Sequence, residues 1–430
     1  MKQYETLRGM RDFLPQDLLK RRFIEGRVRE CFSLFGYEEI ETPVVESYDL
    51  IAARSGEEIK HRMYSFKDLS GRRVALRPEI TASIARVVAT KLRSEPKPLK
   101  LGYIANCFRY DNPQMGRYRE FWQAGFELFG STGLEADAEI ITVNNELMRR
   151  LGFSDFFIKI GDVKILRGIL RAEGINEEEQ SLVMGWVDKR RVKTVLSFLK
   201  QKNVSEVCFK TVKKILELRG TDWKKIIEEG KRVLEKNEDG LKALEDLETI
   251  VNLCRAGGVE STFYVDLGFA RGLEYYTGMI YEIFIPDLGI ALGGGGRYDR
   301  LVELFGGEPT PAVGCAPGVD RIALAMEKKG LFPEQLSMVD RVLVIPVKDD
   351  LSVKAFEIAA TLRRSGVSAQ NEVTGRSIGS ALSYADRKGY AYAVIVGSRE
   401  LERENVIIRN MKLKEQREVP LASLVKEIKL

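Results

Sequence analysis

The texture of the chain changes twice along its length. Residues 160–255 are rich in Lys, Glu, Leu and Ile at mostly helical spacing. Within them KTVLSFLKQKN, FKTVKKILELRG, DWKKIIEEGKRVLEKNEDG and ALEDLETIVNLCRAGG read as four or five short helices, with no cluster of catalytic residues. On either side of this block the pattern returns to strands. A helical insertion into a strand-bearing core is the simplest account, with the core at 1–160 and 256–328 and the insertion at 161–255.

The segment before the block supports that account. From Asp17 to Leu34 the apolar residues recur near helical spacing, and Gly36 closes the helix as a C-cap. YEEIETPVVE is a short strand interrupted by Pro43, which implies an edge or a boundary. RRVALRPEIT reads as strand, turn at Pro78 and helix start, with Thr81 and Ser83 as helix-start residues. KLGYIANCFRYDNPQMGRYREFWQAGFELFG reads as strand, polar loop (Tyr110 to Tyr118) and strand, and a helix follows from Ala136 to Leu151. After the block, Phe263–Leu267 and Tyr281–Ile285 read as two strands, with 271–278 as the connection between them. The run Gly293–Gly296 lets a backbone approach a ligand or another strand closely. Residues 329–340 form a linker. In 341–430 strands alternate with helices, which argues for a small α/β domain with a largely parallel sheet.

Composition removes several chemistries. The 430 residues carry a net charge of +5, with 44% hydrophobic and 30% charged residues, as in a soluble globular protein. The charge permits a polyanionic partner without demanding one. Five cysteines are scattered, never as C-x-x-C, and the single histidine is His61, so no zinc-ligand cluster can be written. A reduced, cytoplasmic setting is expected. The amino-terminal stretch has no apolar signal region, and no run is long enough to span a membrane. A Ser-His-Asp or Cys-His system would have to use His61, in the charged segment GEEIKHRMYSF, where a surface histidine is the plainer interpretation.

Four stretches could carry chemistry. Glu79 in ALRPEIT stands at a strand-to-helix junction, either facing a ligand ammonium or complementing the helix dipole. In CFRYDNPQMGRYREFWQAGFELFG, Arg109, Arg117 and Arg119 border one loop, and guanidinium forks suit phosphate. On the return strand Phe121, Gln123, Gly125 and Glu127 share one face, a floor for a small polar ligand. ARGLEYYTGMIYEIF places the fixed cation Arg271 before the phenols of Tyr275 and Tyr276; a decorated hairpin with core tyrosines is the alternative. In GVDRIALAM, Arg321 follows Gly318 at a helix start, which favours anions. Several arginines, few bases and no metal cluster suit chemistry on phosphates by positioning and charge stabilisation. No Walker-type or dinucleotide-binding glycine motif is present.

The ordered set RGMRDFLP, FGYEEIETPVVE, LRPEIT, FRYDNPQMGRYREFWQAGFELFG, RGLEYYTG, GGGGRYD and GVDRIAL resembles the histidine–tRNA ligases, which are class II aminoacyl-tRNA synthetases. RGLEYYTG and GGRYD point to the histidine branch. The resemblance implies an α+β catalytic core on an antiparallel sheet, a helical insertion domain that grips the acceptor arm, and a C-terminal anticodon-binding domain at 341–430. It implies a homodimer with Pro43 near the interface, and tRNA-His, L-histidine and ATP with its Mg2+ as partners, with no zinc. Arg109 and Arg271 would act on the α-phosphate. Arg117 would reach the distal phosphates, Phe121 would stack on adenine, and Arg321 would hold the γ-phosphate. Glu79, Thr81, Gln123, Glu127, Tyr275 and Tyr276 would surround the histidine, with Arg271 beside it and Gly272 and Gly278 letting the loop turn. Tyr110, Asp111, Asn112, Trp122 and Glu274 depart from the family's usual residues. A non-catalytic regulatory subunit of ATP phosphoribosyltransferase is the alternative, but such relatives typically lack the C-terminal domain and lose catalytic arginines.

Overall fold

A computed structural model describes residues 4–53, 60–271, 275–333, 336 and 341–428. They form two compact units, divided between Phe332 and Pro333. Among the described residues no helix is long and apolar enough to cross a membrane.

The first unit is built on a large sheet. In chain order its strands are β1 (Glu38–Glu39), β5 (Leu99–Phe108), β6 (Glu120–Phe129), β7 (Phe157–Asp162), β8 (Arg219–Gly220), β9 (Thr262–Asp266), β10 (Met279–Ile285), β11 (Ile290–Arg297) and β12 (Ala312–Cys315). They lie in the order β1-β5-β6-β12-β11-β10-β7-β9-β8. The six central strands are antiparallel neighbours, with one parallel pair at each flank, β1 with β5 and β7 with β9. A smaller sheet, β2-β4-β3, is made of β2 (Val45–Ser47), β3 (Ser65–Lys67) and β4 (Arg73–Leu76).

Alternation along β5 and β6 divides the two faces. Gly102 and Phe126 point to one face, where Phe32 of the helix Pro15–Phe35 packs 5.1 Å from the Phe126 ring. That helix starts on Pro15 and ends at Gly36, whose φ of 72° is the left-handed turn expected of a C-cap. The opposite face carries Cys107 with Phe121, Ala105 with Gln123, Tyr103 with Gly125, and Leu101 with Glu127. The sheet thus has one face for the core and one for a site.

The expected link between the strands around Phe263 and Tyr281 is corrected. β9 and β10 are not partners, because β7 lies between them, antiparallel to β10 and parallel to β9. The connection at 271–278 is therefore a crossover, not a hairpin; Gly272 and Glu274 fall outside the described residues. The strand FIKIGD of β7 lies between two helical patterns and is too short to stand out by its period. Residues 163–256 hold six helices among those described, two more than the four stretches singled out, with β8 interrupting them. The final helix of the unit is Val319–Lys329, and Leu331 and Phe332 pack against the same core.

The second unit carries a five-stranded sheet in the order β14-β13-β15-β16-β17, from β13 (Arg341–Pro346), β14 (Ser368–Asn371), β15 (Tyr392–Val396), β16 (Asn405–Asn410) and β17 (Gln416–Pro420). Two pairs are parallel and two antiparallel, so the sheet is mixed where a largely parallel one was expected. The difference comes from β16, which runs antiparallel to β15, and from β17 beyond it, a polar, exposed edge strand with weak alternation. Helices Ser352–Arg364 and Ile378–Arg387 cover its two faces with separate apolar clusters.

Candidate active site

The site-bearing face of the large sheet opens into a cleft of about 510 Å³. Its lining includes Glu79, Thr81, Arg109, Arg117, Phe121, Gln123, Arg271, Tyr275, Tyr276 and Arg321. Residues separated by more than two hundred positions in sequence are thereby brought together.

Glycines let the charged groups reach the sheet. A Cβ on Gly294 would stand 2.1 Å from the Arg271 guanidinium, and one on Gly314 would stand 1.6 Å from the Glu127 carboxylate. Arg271 therefore lies flat over β11, and Glu127, on β6, lies over its β12 partner Gly314. Arg271 Nη1 donates to the Tyr281 carbonyl at 2.8 Å, and its Nη2 stands 3.6 Å from Glu282 Oε1.

The other arginines are held by groups that leave donors over. Arg109 Nε donates to the Pro78 carbonyl at 2.8 Å, and the guanidinium lies 5.2 Å from the centre of the Phe121 ring. Arg117 Nε donates to Asp111 Oδ2 at 2.6 Å. Arg321, in the first turn of its helix, donates from Nη1 to the Ala291 carbonyl at 3.0 Å. Burial holds Arg321 below the usual arginine value, and the positive charges of Arg117, Arg109 and Arg271 push the same way against Glu282. A cleft that gathers these guanidinium groups at this cost to one of them is prepared for an anion with several charges.

Beneath the arginines lies a polar, aromatic pocket. Glu127 is buried; Thr81 Oγ1 donates to its Oε1 at 2.7 Å, and the Tyr298 hydroxyl donates to its other oxygen. Burial pushes the Glu127 carboxyl up to about 8, opposed by those two donors and reinforced by Glu79. Glu79 is also buried and raised by desolvation, with its Oε1 accepting from the Ala82 amide at 3.1 Å and Arg109 opposing the rise. The Tyr275 and Tyr276 rings meet at a tilt of 56° with centres 4.9 Å apart, and Tyr275 meets Tyr298 edge-on at 5.7 Å. Burial pushes all three phenols up, so they remain donors. Cys107 Sγ donates to Gln123 Oε1 at 3.2 Å.

Glu127 stands behind Thr81 and Tyr298 rather than on the cleft wall. Thr81 begins its helix, but its hydroxyl is spent on Glu127. Sequence reasoning missed Arg62, Tyr118, Glu282, Tyr298 and Asp320 as cleft residues. Asp320 accepts from the Trp122 amide at 2.6 Å and pairs with Arg11, whose guanidinium lies 3.2 Å from the centre of the Tyr118 ring. The stretch RGMRDFLP held the signal, in an arginine otherwise unexplained near the start of the chain. Asp111, noted only as a departure, pairs with both Arg62 (3.1 Å) and Arg117.

The antiparallel sheet with its arginine-ringed cleft, followed by a separate α/β unit, is the architecture expected of the class II aminoacyl-tRNA synthetases. Comparison with known proteins narrows this. The family model for histidyl-tRNA synthetase matches residues 9–322, and the model for the anticodon binding domain matches residues 341–430. A histidine–tRNA ligase of Pyrococcus abyssi is 41% identical over 432 residues, covering 99% of this chain and 98% of the relative. A solved structure from Bacillus halodurans, an ATP phosphoribosyltransferase regulatory subunit/histidyl-tRNA synthetase, aligns at a TM-score of 0.78 and 27% identity over 92% of this chain and 98% of its own. A histidyl-tRNA synthetase from Nostoc aligns at a TM-score of 0.79 and 24% identity over 100% of this chain and 99% of its own, and shares the fold. The chain belongs to the histidyl-tRNA synthetase family.

Proposed function

We propose that this chain activates L-histidine with ATP and transfers it to the 3′ end of tRNA-His, in the cytoplasm and as a homodimer. The observation that carries the site assignment is the convergence of Arg109, Arg117, Arg271 and Arg321 on one cleft above two buried carboxylates and a tyrosine cluster.

In the first step the histidine carboxylate attacks the α-phosphorus of ATP, and pyrophosphate leaves with the bonding pair. Negative charge grows on the α-phosphate oxygens. Arg109 and Arg271 flank that position and stabilise the charge; Arg117 and Arg321 hold the distal phosphates, and Phe121 stacks on adenine. Mg2+ enters with the nucleotide as part of the substrate. Glu79 receives the α-ammonium. Glu127 lies on the imidazole side, behind the Thr81 and Tyr298 hydroxyls that donate to it, and Thr81, Gln123, Tyr275 and Tyr276 complete the pocket. In the second step a ribose hydroxyl of the terminal adenosine attacks the activated carbonyl carbon, and AMP leaves.

We assign the catalytic core to 1–160 and 256–328, the acceptor-gripping insertion to 161–255, the linker to 329–340 and anticodon binding to 341–430. Exposed Val44, Val45 and Phe66, on or beside the smaller sheet and next to Pro43, offer apolar surface for a second copy to cover. The test is ATP–pyrophosphate exchange scanned over all twenty amino acids. Exchange with histidine alone supports the reading; none with any amino acid, from folded protein with Mg2+, overturns it.

A further inference from the structure

Two residues behind the tyrosine cluster do no work in that scheme, yet they bond to each other twice. Thr277 directly follows Tyr275 and Tyr276, and Asp299 directly follows Tyr298. Thr277 Oγ1 donates to Asp299 Oδ2 at 3.2 Å, while the Asp299 amide donates to Thr277 Oγ1 at 3.1 Å. The Thr277 amide donates to the Arg297 carbonyl at 2.8 Å. The other Asp299 oxygen accepts from the Ala312 amide at 3.2 Å and from Arg297 Nη1 at 3.1 Å.

Arg297 anchors the pair to the core. It is buried, and its Nε donates to both oxygens of Asp137 at 3.0 Å, while Nη1 donates to the Ser131 carbonyl at 2.9 Å and Nη2 to the Gly133 carbonyl at 3.1 Å. Asp137 belongs to the helix Leu134–Arg150. One side of the tyrosine cluster is thus tied to a rigid helix, and the other to Glu127 through the Tyr298 hydroxyl.

Neither Thr277 nor Asp299 lines the 510 Å³ cleft. Both line a second cleft of about 1140 Å³, which shares Tyr275 and Tyr276 with the first. The tyrosines form the partition between the clefts, and the Thr277–Asp299 pair fastens that partition from behind. We propose that Thr277 and Asp299 are positioning residues for histidine: their reciprocal hydrogen bond holds the turn bearing Tyr275 and Tyr276 against Tyr298 and so sets the shape of the side-chain pocket. The inference rests on the histidine-activating reading above.

The test is ATP–pyrophosphate exchange by the full chain, with KM measured separately for histidine and ATP. Thr277→Val keeps the side chain's shape and removes the hydroxyl. It is expected to raise the histidine KM about three- to tenfold, the size of one or two lost hydrogen bonds, with the ATP KM moving far less. Thr277→Ser restores the hydroxyl and is expected to restore the histidine KM. Should the valine variant not fold, Thr277→Ala carries the same test, since it removes the same hydroxyl and adds no bulk. A bond that is merely structural would lower the melting temperature or the active fraction and leave the histidine KM in place; that result overturns the inference alone. No exchange with histidine from the unsubstituted, folded protein overturns the function and this inference together.

Discussion

Gly314 has no side chain because the Glu127 carboxylate occupies the space where one would begin. A Cβ there meets Glu127 Oε2 at 1.6 Å and the Tyr298 hydroxyl at 2.8 Å. Gly314→Ala is therefore expected to abolish histidine-dependent exchange and to cost about 1–3 kcal/mol in urea unfolding, as overpacking does; an active, equally stable variant would refute the placement. Arg271, lying over Gly294, is expected to act on the transition state. Arg271→Ala should slow exchange about 10²- to 10³-fold, the usual effect of losing one such donor. Near-normal rates from purified variant would remove Arg271 from the chemistry. Glu127 makes stability depend on pH. Its carboxyl lies at about 8 in the folded chain against 4.5 for the ordinary group, so between those values the folded state binds more protons than the unfolded state. Its contribution should thus weaken as pH rises from 4.5 to about 8 and level off above. Urea midpoints between pH 6 and 8.5 should fall less in Glu127→Gln than in the unsubstituted protein; equal slopes would show that the carboxyl is not held protonated.

At the scale of the element, five of the six described helices between β7 and β9 are begun by side chains that cap them. Asp162 Oδ1 accepts from the Lys164 amide at 2.7 Å to start Val163–Ala172. Asn176 Oδ1 accepts from the Glu179 amide at 2.9 Å, and Glu179 answers to the Asn176 amide at 3.4 Å, a capping box at the start of Glu177–Asp188. The far end of that helix brings Asp188 to the wall of both clefts. Asn176→Ala is expected to cost about 1 kcal/mol by urea unfolding, the usual worth of such a cap. The KM for ATP should stay unchanged, since Asn176 lies outside the 510 Å³ cleft. A larger shift in ATP KM than in stability would mean that this helix shapes the nucleotide site directly.

At the scale of the molecule, each compact unit has its own apolar core, and the boundary follows Phe332. A chain cut after Phe332 is expected to fold and keep histidine-dependent exchange while losing most charging of tRNA-His, because the anticodon-binding family match lies wholly in the second unit. Loss of exchange from a folded fragment would show that the second unit takes part in activation.

The amino-acid sequence was enough to read the elements whose residues repeat a simple period. The helix expected at Asp17–Leu34 appears as Pro15–Phe35, and the strand–loop–strand around Tyr110–Tyr118 appears as β5 and β6. It also carried the residue types at the cleft, but each stretch alone allowed a plainer role, such as a decorated hairpin for Arg271 with Tyr275 and Tyr276, or a helix-dipole partner for Glu79. Tertiary structure alone decided who stands beside whom. Periodicity reports which side of an element is buried, not the partner it is buried against. Hence β7 between β10 and β9, the edge strand β17, the Tyr298 hydroxyl on Glu127, Asp111 between two arginines, and the bond from Thr277 to Asp299 came only with the fold. Each is a contact between residues distant in the chain or hidden in a short segment, and its energy depends on a distance that local sequence does not contain.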